Sequence, residues 1–244
     1  MRNYLSFGGG VNSVALHLLM LDKGVEFESV FVHHGTDWPE TYHYLAGFQW
    51  WLKSQGHRPI TILRPDVNTV EGVRFDNVYG YYKFKKTFPA KMTRSCTDRF
   101  KIQVIYKYCK TPCFMFIGID NGEAHRAKIS FRDGVENRYP LVEQMIDRDG
   151  CKQIISRSGL PLPTKSGCYI CPFQKLSEWK RLRHEHPELF CAAEKLENQY
   201  IERRSAEGKK PMYITQDRPL KYAIEEHQMS MLEEDQYPPC QCGL

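Results

Sequence analysis

Within the first twenty-five residues, the spacing of apolar positions changes from that of a strand to that of a helix. Residues 4–7 form a short apolar run, and Val14, Leu18 and Leu21 then recur at the spacing of one helix face. Gly24 follows where a helix C-cap is expected. The pattern therefore predicts a strand, a turn and an amphipathic helix.

The same change of period recurs further along the chain. It predicts strands over 29–33, 59–63 and 114–117 and a helix over 39–54. Strands that alternate with helices are typical of a parallel sheet covered on both faces. We therefore predict an α/β fold, a parallel doubly wound sheet with helices on both faces. Ligands of such sheets bind beyond the carboxyl ends of the strands.

The loop after the first predicted strand is rich in glycine. Residues 6–13 read SFGGGVNS, and either Asn12 or Ser13 could serve as the N-cap of the helix that follows. Glycines allow a ligand close to the backbone, and a helix N-terminus favours anions. The loop therefore suits a phosphate group, although a plain tight turn is the simpler alternative. The candidate phosphate-binding residues are Ser6, Gly8, Gly9, Gly10, Asn12 and Ser13.

The final third of the chain differs in character from the rest. Charged helical patterns run over 176–207, and the chain ends in PPCQCGL. We therefore predict a nucleotide-binding α/β domain over 1–165 and a C-terminal helical region with cysteines over 166–244.

Composition narrows the class of protein. The 244 residues are 41% hydrophobic, without an apolar run long enough to span a bilayer and without a signal peptide. We therefore expect a cytoplasmic protein with no membrane partner. Nine cysteines in a reducing compartment point to a metal, a cluster, redox chemistry or buried thiols rather than to disulfides.

Positive charge is concentrated in the middle of the chain. The net charge is +5, but residues 83–110 contain nine Lys or Arg and one acid, which favours phosphate-bearing ligands. Interleaved aromatic residues suit stacking on nucleic-acid bases, or else belong to the core. These aromatic residues are Tyr79, Tyr81, Tyr82, Phe84 and Phe88.

Two cysteines have the spacing of metal ligands. Cys168 and Cys171 are separated by two residues, so both thiolates can reach one metal ion or cluster. The four cysteines of apolar or helical surroundings are expected to be packing residues. These are Cys109, Cys113, Cys151 and Cys191.

Carboxylates and histidines follow the second predicted strand. Asp37 and Glu40 could hold Mg²⁺ on the phosphates of a nucleotide, and His34 could contact its base or ribose. Thr36 or Asp37 could also cap the helix that begins at Pro39.

Five segments in order resemble the PP-loop superfamily, which includes ATP pyrophosphatases and the reductases of phosphoadenylyl sulfate (PAPS). Residues 8–13 match its phosphate loop, with Gly8 in place of a serine and Asn12 in place of an aspartate. The further matches are residues 32–41, 93–102, 118–126 and 167–173.

The resemblance implies a site for an adenine nucleotide such as ATP with Mg²⁺. It adds Gly118, Asp120, Glu123 and Arg126 to the nucleotide-binding candidates. Arg94, Arg99 and Lys101 would neutralise phosphates during catalysis, together with Asp37. It also implies that Cys96 joins Cys168 and Cys171 as a ligand, and Cys240 or Cys242 could supply the fourth thiolate. Four thiolates fit a 4Fe–4S cluster or a structural zinc ion, and the resemblance favours the cluster.

Three functions are compatible with this resemblance. The first is ATP-dependent sulfur transfer to a nucleic acid, as in DNA phosphorothioation or tRNA thiolation, with a cysteine desulfurase as a possible sulfur donor. The second is reduction of adenylyl sulfate or PAPS by Cys242, since the tail Cys242-Gly243-Leu244 resembles part of the reductase motif. The third is a subunit that binds a nucleotide or nucleic acid without catalysis, because Asn12 replaces the usual aspartate.

Overall fold

Strands and helices alternate through the first half of the computed structural model, which describes residues 1–130, 132–164 and 166–226. The strands are β1 (Arg2–Ser6), β2 (Glu28–Val32), β3 (Thr61–Leu63), β4 (Val67–Asn68), β5 (Arg74–Phe75), β6 (Cys113–Ile117) and β7 (Val135–Arg138). The helices are α1 (Val11–Asp22), α2 (Pro39–Ser54), α3 (Val78–Phe84), α4 (Ser95–Thr97), α5 (Gln103–Tyr108), α6 (Pro140–Glu143), α7 (Arg148–Arg157), α8 (Leu176–Glu185), α9 (Pro187–Ala206) and α10 (Leu220–Glu226). A π-helical turn (Asp98–Ile102) joins α4 to α5, and a 3-10 turn (Asn121–Arg126) follows β6.

Five strands form one sheet in the order β3–β2–β1–β6–β7. All four pairings are parallel, and Leu5 of β1 lies between Ser29 of β2 and Phe116 of β6. The parallel doubly wound α/β fold predicted from the sequence is thus confirmed. The chain extends the sheet first to one side of β1 and then to the other, so a crevice opens between the carboxyl ends of β1 and β6.

Alternating side chains of the strands supply two hydrophobic cores. Leu5 and Phe31 face the layer of α1, α2 and α7, whereas Tyr4, Val30 and Met115 face the layer that contains α5. This alternation follows from the two-residue period of a strand, which sends neighbouring side chains to opposite faces of the sheet.

A third core joins the C-terminal helices to the rest of the chain. Trp38 and Phe100 pack in it with Ile170, Trp179 and Leu196. Residues on both sides of position 165 therefore share this core, and the division of the chain at that position stays a prediction.

The two helices next to the predicted site begin at other residues than expected. The N-cap of α1 is Gly10 rather than Asn12 or Ser13, because the Gly10 carbonyl already accepts the amide of Val14 at 3.0 Å. The N-cap of α2 is Trp38 rather than Thr36 or Asp37. Proline at the first helical position fixes that start, since its φ suits a helix and it needs no hydrogen-bond acceptor.

The charged pattern over 176–207 is two helices rather than one. It breaks at His186, which has a φ of −137°, because the residue before a proline disfavours helical conformation. Three of the four cysteines assigned to packing are buried, but Cys191 is exposed on α9, which corrects that assignment.

His17 is a buried, uncharged base within the core around α1. Its side chain is 2% exposed, and its Nδ1 lies 2.9 Å from the Ser29 hydroxyl oxygen. Burial, with a smaller contribution from the charge of His57, lowers the pKa of His17 to about 3. The unfolded chain therefore binds more protons than the folded chain between the ordinary pKa of 6.5 and that value.

Acidification should therefore destabilise the protein through His17. We expect this residue alone to remove about 2 kcal/mol of unfolding free energy between pH 7 and pH 5. Urea unfolding at both pH values measures it, because His17→Gln should lack this part of the loss. His43→Gln, at an exposed position of α2, is the matched control. Equal pH dependence of wild type and His17→Gln would contradict the assignment.

Candidate functional site

A cleft lies at the crevice between β1 and β6. The loop after β1 and the first turn of α1 form one wall, and the residues after β6 form the other. The predicted residues that line it are Ser6, Gly8, Gly10, Asn12, Ser13, Lys101, Gly118 and Glu123. Because the first amides of a helix lack intrahelical acceptors, the N-terminus of α1 presents donors and a positive dipole end here.

The glycine loop owes its path to two close contacts. Gly9 has a φ of +72°, and a Cβ at this position would lie 2.9 Å from Cγ2 of Thr41. A Cβ at Gly10 would overlap Oγ of Ser166. A side chain at Gly9 would also strain the backbone, and one at Gly10 would require the Ser166 side chain to move, whereas the space around Gly8 is open.

Gly118 brings the loop after β6 against the first turn of α1. A Cβ at this position would lie 2.9 Å from the amide nitrogen of Ser13 and 3.0 Å from the carbonyl oxygen of Asn12. These are backbone atoms of a helix, which cannot rotate away. The approach of the two loops thus depends on the missing side chain of Gly118.

Asn12 connects two charged groups at the base of the cleft. Its Nδ2 donates to Asp120 Oδ2 at 2.9 Å, and its Oδ1 accepts from Arg148 Nη1 at 2.8 Å. Asn12 and Asp120 are 6% and 2% exposed, and Arg148 lines the cleft. The amide uses both its donor and its acceptor, so a neutral side chain fits between the carboxylate and the guanidinium.

The three predicted phosphate-neutralising cations lie in different places. Lys101 lines the cleft. Arg99 donates instead to the Tyr81 hydroxyl at 2.7 Å and lines a separate groove. Arg94 lies over the ring of Phe173, close to the CxxC segment. Of the three side chains, that of Lys101 is placed to meet a ligand in the cleft.

The predicted carboxylates differ in their position relative to the cleft. Glu123 lines it and pairs with Arg126 in the 3-10 turn. Glu40 at the start of α2 points away and its Oε1 lies 2.9 Å from Nε2 of His186. A carboxylate at the cleft surface is thus supplied by Glu123.

A buried polar chain follows β2. His34 Nδ1 lies 2.8 Å from the Thr36 hydroxyl, and its Nε2 lies 3.2 Å from Asp37 Oδ2. Burial acts to raise the pKa of Asp37, but the charges of His34 and Lys101 outweigh it and lower that pKa to about 2. Asp37 is therefore an ionised carboxylate throughout the physiological range, although only 4% of it is exposed.

The CxxC segment is fastened to the loop after β2. The amide of Trp38 donates to the carbonyl of Gly167 at 3.0 Å, and the amide of Tyr169 donates to the carbonyl of Thr36 at 2.8 Å. The Cys168 thiol donates to the Thr36 hydroxyl at 3.1 Å. Burial raises the pKa of Cys168 well above its ordinary value. These contacts hold Cys168 at the carboxyl edge of the sheet, the edge that also contains the cleft.

Cys96 shares the third core with Cys168, and both are partly buried there. A separate group of three potential metal ligands lies at the start of α2. Within residues 1–130, 132–164 and 166–226, one ligand atom each of Glu40, Glu185 and His186 lies within 4.8 Å of the other two.

Cys240 and Cys242, the predicted fourth ligand and the predicted tail nucleophile, lie outside the described residues.

The basic and aromatic segment contributes mainly to the core. Tyr81, Tyr82 and Phe88 are at most 9% exposed, whereas Phe84 is 44% exposed. Tyr79 is partly buried against the third core. The alternative in which these rings belong to the core therefore describes most of them.

Three residues of the site were missed by sequence reasoning. Arg148 and Ser166 line the cleft, and Thr36 contacts both His34 and Cys168. Arg148 directly follows Asp147, the N-cap of α7, and a helix N-terminus facing a crevice was the signal available. No local pattern marks Ser166 or the pairing of Thr36.

No helix within the described ranges is long and apolar enough to cross a membrane.

Comparison with known proteins gives fold-level similarities. No protein family model matches the chain, and none of the curated proteins matches it in sequence. The structure of PAPS reductase from Candida auris in its phosphate complex has a TM-score of 0.48 and 14% identity, covering 69% of this chain and 81% of that one. The U34-tRNA thiolase NcsA from Methanococcus maripaludis, with its 4Fe–4S cluster, has a TM-score of 0.42 and 14% identity, covering 81% of this chain and 71% of that one. Both structures resemble this chain in fold, a parallel α/β sheet with helices on both faces.

Proposed function

We propose that the chain binds ATP in the cleft and uses it to activate an oxygen of a nucleic acid for replacement by sulfur. The observation that carries this proposal is the convergence of the glycine loop, the N-terminus of α1, Lys101 and Arg148 on one cleft. Backbone amides, a helix dipole and two cations together match a polyphosphate.

The residues of the cleft have different roles in this proposal. The loop amides and the N-terminus of α1 hold the phosphates, while Lys101 and Arg148 offset charge that develops on the leaving pyrophosphate. Glu123 is the carboxylate that would hold Mg²⁺ at the cleft surface. Catalysis by this set is therefore chiefly electrostatic.

Two displacements complete the reaction. An oxygen of the nucleic acid attacks the α-phosphorus of ATP and forms a P–O bond to it. The bond between the α-phosphorus and the bridging oxygen breaks, and pyrophosphate leaves with that oxygen. Hydrosulfide, released when a thiol reduces the persulfide of a donor such as a cysteine desulfurase and is itself left in a disulfide, then attacks the activated atom. AMP leaves with the oxygen, and the sulfur remains on the nucleic acid.

The thiols are placed to deliver sulfur to the same edge of the sheet. Cys168 is fixed there by its contacts with Thr36 and the loop after β2, and Cys171 follows it on the same segment. Cys96, Cys168, Cys171 and one cysteine of the tail would hold a 4Fe–4S cluster. When bound, such a cluster supplies an iron site that carries the transferred sulfur.

Pyrophosphate release by anaerobically purified protein tests the proposal. We expect release from ATP to increase with tRNA or duplex DNA, and the stimulating nucleic acid identifies the acceptor class. Absence of release with both nucleic acids would overturn ATP-dependent activation. Adenylyl sulfate and PAPS would then be assayed for a thiosulfonate on Cys242, which would identify a reductase instead, and binding without turnover would leave a binding subunit.

Two neighbouring cations provide a matched pair of variants. Lys101→Ala should weaken ATP binding about tenfold or more, because it removes a charge from the cleft. Arg99→Ala should change the ATP affinity less than about twofold, because Arg99 faces the groove. Calorimetric titration with a non-hydrolysable ATP analogue measures both. Equal losses in the two variants would contradict the placement of the phosphates beside Lys101.

A further inference from the structure

A basic groove lies beside the cleft and has no role in the site described above. It runs between residues 63–70, helix α3 and the helical segment 98–108. Its charged lining consists of four cations and one carboxylate: Arg64, Lys85, Arg99, Lys107 and Asp66. Asp66 is paired with Arg74, so its charge is already offset. The groove therefore has a net positive charge.

Two of these cations are available to a ligand. Arg64 and Lys107 are exposed and form no ion pair within the part of the chain that the structure describes. Lys85 is paired with Glu71 at 2.9 Å, and Arg99 is oriented by the Tyr81 hydroxyl. Lys107 is close enough to Asp66 for its charge to help lower the pKa of that carboxyl, but Asp66 is paired with Arg74. Arg64 and Lys107 are therefore exposed cations to which phosphate oxygens are attracted.

The groove and the cleft share one helical wall. Lys101 and Ile105, four residues apart, line the cleft, whereas Arg99, Gln103 and Lys107 line the groove at the same spacing. Residues two apart on a helix point in nearly opposite directions. A ligand in the groove thus lies about one helix diameter, roughly 10 Å, from a nucleotide in the cleft.

The spacing of the cations indicates the kind of ligand. Arg99 and Lys107 are eight residues apart, or about 12 Å along the helix axis. One phosphate group is too small to contact both ends of this row and Arg64 across the groove. A chain of repeating phosphates fits the row, and its contacts would be independent of base sequence.

We propose that this groove binds the sugar–phosphate backbone of a nucleic acid and so positions the acceptor next to the cleft. The inference deepens the proposed function, because it assigns the surface that holds the acceptor. Nucleic-acid binding by the groove can be tested separately from the activity of the cleft, since binding is measured without ATP and without turnover.

The test compares three double variants by fluorescence anisotropy with labelled tRNA and with a labelled DNA duplex. Arg64→Ala/Lys107→Ala should bind the preferred nucleic acid at least about tenfold more weakly at physiological salt. The slope of log affinity against log salt should fall by about one for each cation removed. Both side chains are exposed, so folding should be unaffected, and a thermal melt checks this.

Lys53→Ala/Arg157→Ala is the control with the same change in charge. Both residues are exposed and lie in the last turns of α2 and α7, on the opposite face of the sheet. Arg64→Lys/Lys107→Arg, which keeps both charges, should retain the wild-type salt slope. Binding to neither nucleic acid, or equal losses in the groove and control variants, would overturn the proposal. Weaker binding with continued ATP turnover would support the groove and leave the activity of the cleft intact.

Discussion

Asn12→Asp is expected to lower the free energy of unfolding by about 3 kcal/mol at pH 7, the scale for a buried charge without compensation. The new carboxylate would face Asp120 Oδ2 across the present 2.9 Å hydrogen bond, where both side chains are nearly inaccessible to water. Arg148 can pair with one carboxylate but not neutralise two. The loss should shrink on acidification, because a proton shared between the two carboxylates removes the repulsion.

The exchange Asn12→Asp/Asp120→Asn isolates this cause. It restores one amide and one carboxylate, and the amide at 120 can donate to the carboxylate at 12. We therefore expect the double variant to regain most of the stability that the single variant loses. Urea unfolding of the wild type, Asn12→Asp, Asp120→Asn and the double variant gives the coupling between the two positions.

Asn121→Asp is the control for added charge alone. Asn121 is exposed and adjacent to Asp120, so its substitution should change the unfolding free energy by less than about 0.5 kcal/mol. A stable Asn12→Asp variant, or an exchange no better than the single change, would show that the amide is not required between Asp120 and Arg148.

The wild-type arrangement bears on the departure of Asn12 from the PP-loop pattern. The superfamily resemblance predicts an aspartate at this position, and its loss suggested a subunit without catalysis. In this chain a carboxylate is present one contact away, on Asp120, and the Asn12 amide links it to Arg148. The carboxylate is thus at position 120 rather than at position 12.

The sheet was predictable because its strands are short apolar runs between loops. β1, β2 and β6 begin within two residues of the predicted positions, since their side chains are buried on both faces of the sheet. β7 was missed because it is a partly charged edge strand, Val135-Glu136-Asn137-Arg138. Its pairing with β6, rather than its own composition, makes it a strand.

The loops of the cleft were predictable for a topological reason. The carboxyl ends of parallel strands lie at one edge, so the glycine loop and Gly118 had to approach each other. The contacts of Asn12 with Asp120 and Arg148 span 108 and 136 positions. No local periodicity encodes which side chains meet across such separations.

The different positions of Arg99 and Lys101 could not be predicted because no helix was predicted for their segment. Both were assigned to phosphates because both lie in a basic segment, and no helix was predicted there. The π-helical turn that contains them directs Lys101 to the cleft and Arg99 to the groove. Their different surroundings follow from helical geometry, which composition does not reveal.

Gly118→Ala should cost about 3 kcal/mol of unfolding free energy, at the upper end for overpacking, and should weaken nucleotide binding by roughly 100-fold. The added Cβ would lie 2.9–3.0 Å from backbone atoms of Asn12 and Ser13. Either the loop after β6 or the N-terminus of α1 must then move. Since both form the walls of the cleft, stability and ligand affinity should fall together.

Gly8→Ala is the matched control from the opposite wall of the same cleft. No atom lies within 4 Å of a Cβ at Gly8, so we expect its unfolding free energy to stay within about 0.5 kcal/mol of wild type. Urea unfolding and titration with a non-hydrolysable ATP analogue measure both variants. If Gly118→Ala retained wild-type stability and affinity, the close approach of the two loops would not be what shapes the cleft. If Gly118→Ala lost affinity while Gly8→Ala stayed stable, steric displacement of the cleft walls at Gly118 would be the cause, because the two substitutions add the same methyl group.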